Sequence, residues 1–349
     1  MSLHLSPETS ATKSFDAQLE HNLPQYYRKI LQEFKRTIKN FAVFNVAFIL
    51  LLAAELVAFG AFLPVFSRSY LLAFGLGAIF LTGFSYFVLL FYFQAKKPEQ
   101  ITLIRDRFIA SCKQLMGLPY GVAQHHLTVA TSLLKLSAYL TDFEWHLYQV
   151  PKWLNPPLLR RFIAYCHWKD VFTMKQCLLH AAIEEHLQQI RSTPTDLELH
   201  ASLASTYVAL SQIYLEPTPH KGPHPRSSYY QKRRSLFEEK FRRAAEFAIE
   251  EFQILSHYAP NDPWVHEQLA SGYRDLDLPL EEIREVEILL TLKPQDNLIL
   301  FRLGKLYFEQ KHNAKGLQIY EQLKKAHYPQ ADELISSYGI IASFESISQ

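Results

Sequence analysis

The hydrophobic pattern changes character several times along the chain. Residues 1–23 are polar, with Ser2, Ser6, Thr9, Ser10, Thr12 and Ser14 and no apolar period, which predicts a disordered lead. From Pro24 the pattern becomes helical: Tyr27, Ile30, Leu31, Phe34, Ile38 and Phe41 recur on one side, and Arg28, Lys29, Lys35, Arg36 and Lys39 lie largely on the other. This predicts a basic amphipathic juxtamembrane helix over 24–40, opened by Pro24 at a position where its missing N–H is harmless. Such a helix is expected to lie on an anionic membrane surface. The alternative is a solvated helix packed on the domain that follows.

The pattern then loses its polar face. The hairpin region is 41–95, of which 41–93 read FAVFNVAFILLLAAELVAFGAFLPVF, the short break SRS, and YLLAFGLGAIFLTGFSYFVLLFYF. Each run exceeds the roughly 20 apolar residues that cross a hydrocarbon core, which predicts a two-helix transmembrane hairpin. The alternative is a buried helix pair inside a large soluble protein, which the lack of a polar face disfavours. Basic residues flank both ends, with Lys96, Lys97, Arg105 and Arg107 after the second run, and only Arg68 lies in the turn. The positive-inside rule therefore places both termini in the cytosol. The first run is too long, and too far from Met1, to be the core of a cleaved signal peptide. Glu55 falls near mid-membrane, with Thr82 and Ser85 at matching depth as hydrogen-bonding partners. Gly75, Gly77, Ala78 and Gly83 are expected to let the helices approach closely. Glu55 reads either as a protonated group satisfied within the hairpin or as a relay or oligomer contact, so a homo-oligomer through the hairpin stays open.

Beyond Lys97-Pro98 the fold class is all-α, because no alternating stretch of strand length occurs. Residues 99–162 read as a helical linker domain, with apolar stripes at Ile101, Leu103, Ile104, Phe108 and Ile109, and at Val122, Leu127, Val129, Ala130, Leu133, Leu134, Leu136 and Leu140. Residues 163–330 repeat. Leu303-Gly304-x2-Tyr307 recurs as Leu269-Ala270-x2-Tyr273 and as Leu203-Ala204-x2-Tyr207. A second signature, A-x3-F followed by proline, appears as Ala248-x3-Phe252 with Pro260. It is looser at Ala182-x3-His186 with Pro194 and at Gly316-x3-Tyr320 with Pro329, while Glu282 and Val286 depart from it ahead of Pro294. These residues resemble the tetratricopeptide repeat, with three units and a degenerate first one. The first-helix Trp of that repeat is replaced by His200, His266 and Leu300. One repeat is interrupted over 213–235, where Pro217, Pro219, Pro223 and Pro225 predict an extended basic loop, either a docking or membrane-touching element or a tolerated insertion. Residues 331–349 read as a C-terminal capping helix packed through Leu334, Tyr338, Ile341 and Phe344.

Composition narrows the function. A formal charge of +2 gives no global case for nucleic acid, and 11 glycines disfavour glycine-rich nucleotide folds. The three cysteines, Cys112, Cys166 and Cys177, make no even framework and fit a reducing compartment. No phosphate-loop, nucleophile-elbow or zinc-protease motif occurs, so no catalytic residue, metal or cofactor is expected.

The resemblance implies a concave surface formed by first helices. Trp264, Glu267, Ser271 and Arg274 are expected to line it from one repeat, and Phe301, Lys305 and Phe308 from the next. Aromatics beside Arg274 and Lys305 suit a peptide or protein partner with apolar anchors and a carboxylate. The groove is alternatively filled by the chain's own residues 100–160 or its terminal helix. The expectation is a membrane-anchored interaction scaffold and not an enzyme. The hairpin is also similar to that of chlamydial inclusion-membrane proteins, which implies a secreted bacterial effector in a host vacuole membrane. A third reading is a subunit of a transport or membrane-assembly complex in which Glu55 is functional.

Overall fold

The two apolar runs form the upper parts of two much longer helices. In the computed structural model, which describes residues 7–66, 70–116, 123–148, 156–215, 225–335 and 338, α1 spans Pro7–Phe66 and α2 spans Leu71–Met116. The backbone of α1 is already helical at Pro7 and passes through Pro24. The lead read as disordered is therefore helical over 7–23, and residues 1–6 lie outside the described residues. The segment contains no glycine, and Ala, Leu, Lys, Glu and Gln all favour a helix. Likewise α2 continues through Pro98, so no break separates the apolar run from the linker domain expected at 99. Proline there removes only one backbone donor.

The two helices pack antiparallel. Phe41 meets Phe93 at 6.4 Å, Tyr86 bonds Asn45, Thr82 bonds Glu55, and Gly75 faces the Phe59 ring. Only Gly75 permits close approach. A Cβ there would lie 3.0 Å from the Phe59 ring, whereas Gly77 and Gly83 face open space. The turn at 67–69 lies outside the described residues. Two segments, Pro24–Leu63 and Leu72–Leu115, are long and apolar enough to cross a membrane, each through an 18-residue stretch whose mean hydropathy is 2.5 in the first and 2.0 in the second. The 40 residues of the first span about 60 Å, against about 30 Å of hydrocarbon core, so half its length extends beyond the apolar zone.

That lower half is a protein core. Tyr27, Ile30, Phe34 and Ile38 are buried with Ile101, Ile104, Phe108 and Cys112 of α2. Helix α3 (Ala123–Tyr139), which packs on α2, adds Val129, Ala130, Leu133 and Leu136. Helix α4 (Pro156–Ile190) adds Val171, Met174 and Leu178. The apolar stripe of residues 24–40 is thus covered by protein and does not rest on lipid. Arg28, Lys29 and Arg36 are exposed on the outer side, while Lys35 and Lys39 are half-buried. A stripe of this kind satisfies either partner, and α2, α3 and α4 supply more apolar surface within reach.

The chain divides into two compact units, Met1–Glu185 with Glu216–Tyr229, and His186–Leu215 with Tyr230–Gln349. The second contains α5 (Leu197–Tyr214), α7 (Arg234–Tyr258), α8 (Pro263–Asp275), α9 (Pro279–Leu292), α10 (Asn297–Glu309) and α11 (Asn313–Lys325), and α6 (Pro225–Lys232), between α5 and α7 in sequence, is divided between the two units. Helices α5 and α7, α8 and α9, and α10 and α11 pack as pairs, and α7 packs on α8 and α9 on α10. Two expectations change here. The degenerate first repeat is no helical pair, because α4 is unbroken for 35 residues. Part of the 213–235 insertion is helical, because Pro225 opens α6, while 216–224 lie outside the described residues. Helix 331–335 buries Ala331 and Leu334, and Tyr338 meets Phe308 at 5.4 Å. Ile341 and Phe344 lie outside the described residues.

Candidate functional site

Local sequence aims the first helices of the second unit. Asp196, Asp262 and Asp296 each cap one, accepting the amides of Glu198 and Leu199, of Trp264, and of Leu298 and Ile299. Each stands two residues after a proline, at Pro194, Pro260 and Pro294. A Pro-x-Asp signal therefore marks every first helix, and its aspartate satisfies otherwise orphaned N–H groups. The residue four places on completes the joint. His200 places Nδ1 2.6 Å from Glu251 and Nε2 2.9 Å from the Pro194 carbonyl. His266 repeats this with Glu285 and the Pro260 carbonyl, at 2.6 and 2.9 Å. The two histidines that stand in the Trp position thus tie a second helix to a turn. Both neighbours of each ring are acceptors, so each clasp is fully satisfied when the imidazole carries both protons. Burial lowers the His200 pKa, but the Glu251 and Pro194 bonds outweigh it, and the net shift is upward.

The repeat-motif positions form the core of this unit. Leu203, Ala204, Leu269, Ala270 and Leu303 are buried, with Ala248 and Phe252. A Cβ on Gly304 would meet Leu334 at 2.7 Å, and one on Gly316 would meet Phe308 at 2.6 Å. In the degenerate unit His186 stands where the motif has Phe, and its Nε2 lies 3.3 Å from the hydroxyls of Ser202 and Thr206.

Of the seven residues expected to line a groove, three come together. Arg274, Phe301 and Lys305 line a cavity of about 390 Å³ with Leu278, Glu282 and Arg302. Trp264, 42 % exposed, instead stands edge-on to Phe252 at 5.7 Å. Glu267 is exposed but outside the cavity, and Ser271 accepts a 2.9 Å bond from Arg274. Phe308 is not a groove residue. It is 3 % exposed and packed beneath Gly316, because its position on α10 points to α11.

Sequence reasoning missed the ion pair beneath this cavity. Glu282, 3 % exposed, stands where the motif has Ala and accepts two bonds from Arg302, at 3.0 and 2.6 Å. The mismatch with the motif was the available signal. Lys305 reaches Glu309 only at 3.9 Å, and Arg274, which also bonds Ser271, reaches Asp275 only at 4.0 Å, so neither is held by a short ion pair among the described residues. Burial holds the Asp275 carboxyl above its usual range despite Arg274 and Arg302.

The apolar pair carries the second candidate site. Thr82 Oγ1 donates to Glu55 Oε1 at 2.8 Å, and Glu55 Oε2 is buried with no hydrogen-bond partner among the described residues. Ser85 is half-buried and forms no bond to Glu55 among the described residues. A further clasp that sequence reading missed joins Tyr86 to the Asn45 side chain at 3.0 Å, while Asn45 also donates to the Phe41 carbonyl at 2.9 Å.

Among the described residues no group of three His, Cys, Asp or Glu side chains is placed to hold a metal. The three cysteines are free thiols, and burial raises the pKa of Cys112 to about 12. The features on view define an all-helical protein with two helices apolar enough to span a membrane and a second, paired-helix unit. No protein-family model matches the chain, and no curated protein matches it.

Proposed function

We propose that this protein is a membrane-anchored interaction scaffold, in which the α1–α2 pair spans a bilayer with both ends in the cytosol and tetratricopeptide-like repeats hold a protein or peptide. The observation that carries the reading is the cavity where Arg274, Phe301 and Lys305 converge, since it pairs an aromatic wall with two cations whose ion pairs among the described residues are long, at 4.0 and 3.9 Å. An acidic side chain or terminal carboxylate beside an apolar anchor matches that chemistry. The repeat reading is supported by the buried leucines and small residues of the L-G-x2-Y positions and by the three Pro-x-Asp caps. The membrane reading is supported by two apolar stretches in which no described residue is fully buried.

The test is cross-linked recovery of partners from membranes with full-length protein and an Arg274→Glu, Lys305→Glu double variant. Loss of specific partners with unchanged membrane extraction supports the proposal. Unchanged recovery removes the cavity from consideration. A second reading, a subunit of a transport or membrane-assembly complex, is favoured by Glu55 alone, whose Oε2 lacks a partner among the described residues in an apolar setting.

A further inference from the structure

We infer that the N-terminal turns of α4 form a third membrane contact, seated against the headgroup region of the leaflet from which α1 and α2 emerge. The inference rests on the reading of the α1–α2 pair as membrane-spanning.

Three side-chain pairs fix how α4 runs along α2. Lys97 meets Asp170 at 2.7 Å, Arg105 donates to Cys177 at 3.5 Å, and Lys113 meets Glu185 at 3.0 Å. Positions 97, 105 and 113 on α2 answer to 170, 177 and 185 on α4, so the helices run parallel with constant register. Lys97 marks the end of the apolar run of α2. Its ammonium also lies 4.2 Å from the centre of the Phe41 ring, where the apolar run of α1 begins. Asp170 therefore marks the same boundary on α4. The preceding residues, back to Pro156, continue toward the apolar zone. Those fourteen residues cover about 21 Å of helix, more than the depth of a headgroup layer, so the segment reaches lipid.

The surface chemistry fits that place. Phe162 and Tyr165 are 63 % and 64 % exposed, and Cys166 is exposed beside them one turn on from Phe162. Ala164, His167 and Trp168 face inward. Arg160 and Arg161 are exposed, and their long stems let the guanidinium groups turn back toward phosphates. Other rings gather at the same level. Tyr148 lies under Lys39 at 5.3 Å and beside His167 at 5.8 Å, and Trp168 meets Tyr229 at 5.1 Å. Aromatic and basic groups at one level are the composition of a membrane–water boundary. The basic helix 24–40 gives up its apolar face to the core, and this end of α4 offers an apolar face in its stead.

The test uses full-length protein in vesicles of phosphatidylcholine and phosphatidylserine. A nitroxide is placed on the natural Cys166 in a Cys177→Ser background, where Cys112 is buried and stays unlabelled. Two references lack Cys166 and carry Leu50→Cys on α1 or Phe247→Cys on α7. The expected result is a ratio of oxygen to nickel-chelate collisions at Cys166 severalfold above that at Phe247→Cys. Phe162→Glu is expected to lower that ratio. A Cys166 ratio equal to that of Phe247→Cys, with Leu50→Cys still lipid-like, overturns the contact and leaves the anchor standing. Protection from both reagents shows a protein covering the face and also overturns it. An aqueous ratio at Leu50→Cys defeats the membrane-spanning reading itself.

Discussion

Thr82 holds Glu55 through one oxygen only, at 2.8 Å, and leaves the other without a partner among the described residues in the apolar half of the α1–α2 pair. Removing the hydroxyl with Thr82→Val leaves both carboxyl oxygens unsatisfied. The expected loss is about 1 kcal/mol of hairpin stability, the scale of a polar contact between apolar helices. Glu55→Gln is expected to be tolerated better, because an amide keeps an acceptor for Thr82 and carries no charge. Unfolding of the reconstituted hairpin by mechanical force or steric trapping reads both values. Equal stability of Thr82→Val and the native chain is the result that removes this bond from the energetics.

The His200 clasp makes the second unit sensitive to pH. The folded pKa of His200 is raised, chiefly through Glu251 and the Pro194 carbonyl acting against burial. A group with a raised folded pKa contributes stability that is complete below its unfolded value, about 6.5, and is lost as pH rises through the folded value. Melting temperature is therefore expected to fall as pH climbs past neutrality. In His200→Phe that part of the pH dependence disappears. A melting curve that moves equally with pH in both proteins assigns the effect elsewhere.

Glu282 and Arg302 form a pair in which the carboxylate is buried and the guanidinium partly exposed. Arg302→Met strands a buried carboxylate and is expected to cost about 3 kcal/mol, as broken buried pairs do. The double change Glu282→Ala, Arg302→Met restores the small residue that the repeat motif has at 282 and is expected to recover most of that loss. Urea unfolding of the native protein, Arg302→Met, Glu282→Ala and the double variant gives the cycle. Additive losses would show that the two side chains do not act together.

Gly316 is a packing glycine. An added Cβ would lie 2.6 Å from the Phe308 ring. Gly316→Ala is expected to cost about 1–3 kcal/mol through overpacking, offset slightly by better helix propensity. Phe308→Leu placed on top of it is expected to return part of the loss. Both changes leave the Arg274–Lys305 cavity lined as before, so partner recovery from membranes separates packing from binding.

Much of the architecture was legible in the chain. The apolar runs around Glu55, the Glu55–Thr82 depth match and the Leu-Gly-x2-Tyr positions all follow from spacing alone, because helix periodicity fixes which residues share a face. The Pro-x-Asp-x3-His pattern at 194–200 and 260–266 was equally present in the sequence. Its meaning was hidden because Glu251 and Glu285, the groups that each histidine meets, lie 51 and 19 residues further along the chain.

What the sequence by itself determined is local: which segments are helical, which faces are apolar, and which runs are too hydrophobic for water. Only tertiary structure decided what each face meets. The stripe from Tyr27 to Ile38 was equally suited to lipid and to protein, and Phe108, Leu133 and Met174 settled it by lying within reach. Phe301 and Phe308 sit seven residues apart on one helix, yet one borders the cavity and the other is sealed under Gly316. The physical reason is that burial depends on neighbours brought together from distant parts of the chain, and a periodic pattern names a face without naming its partner.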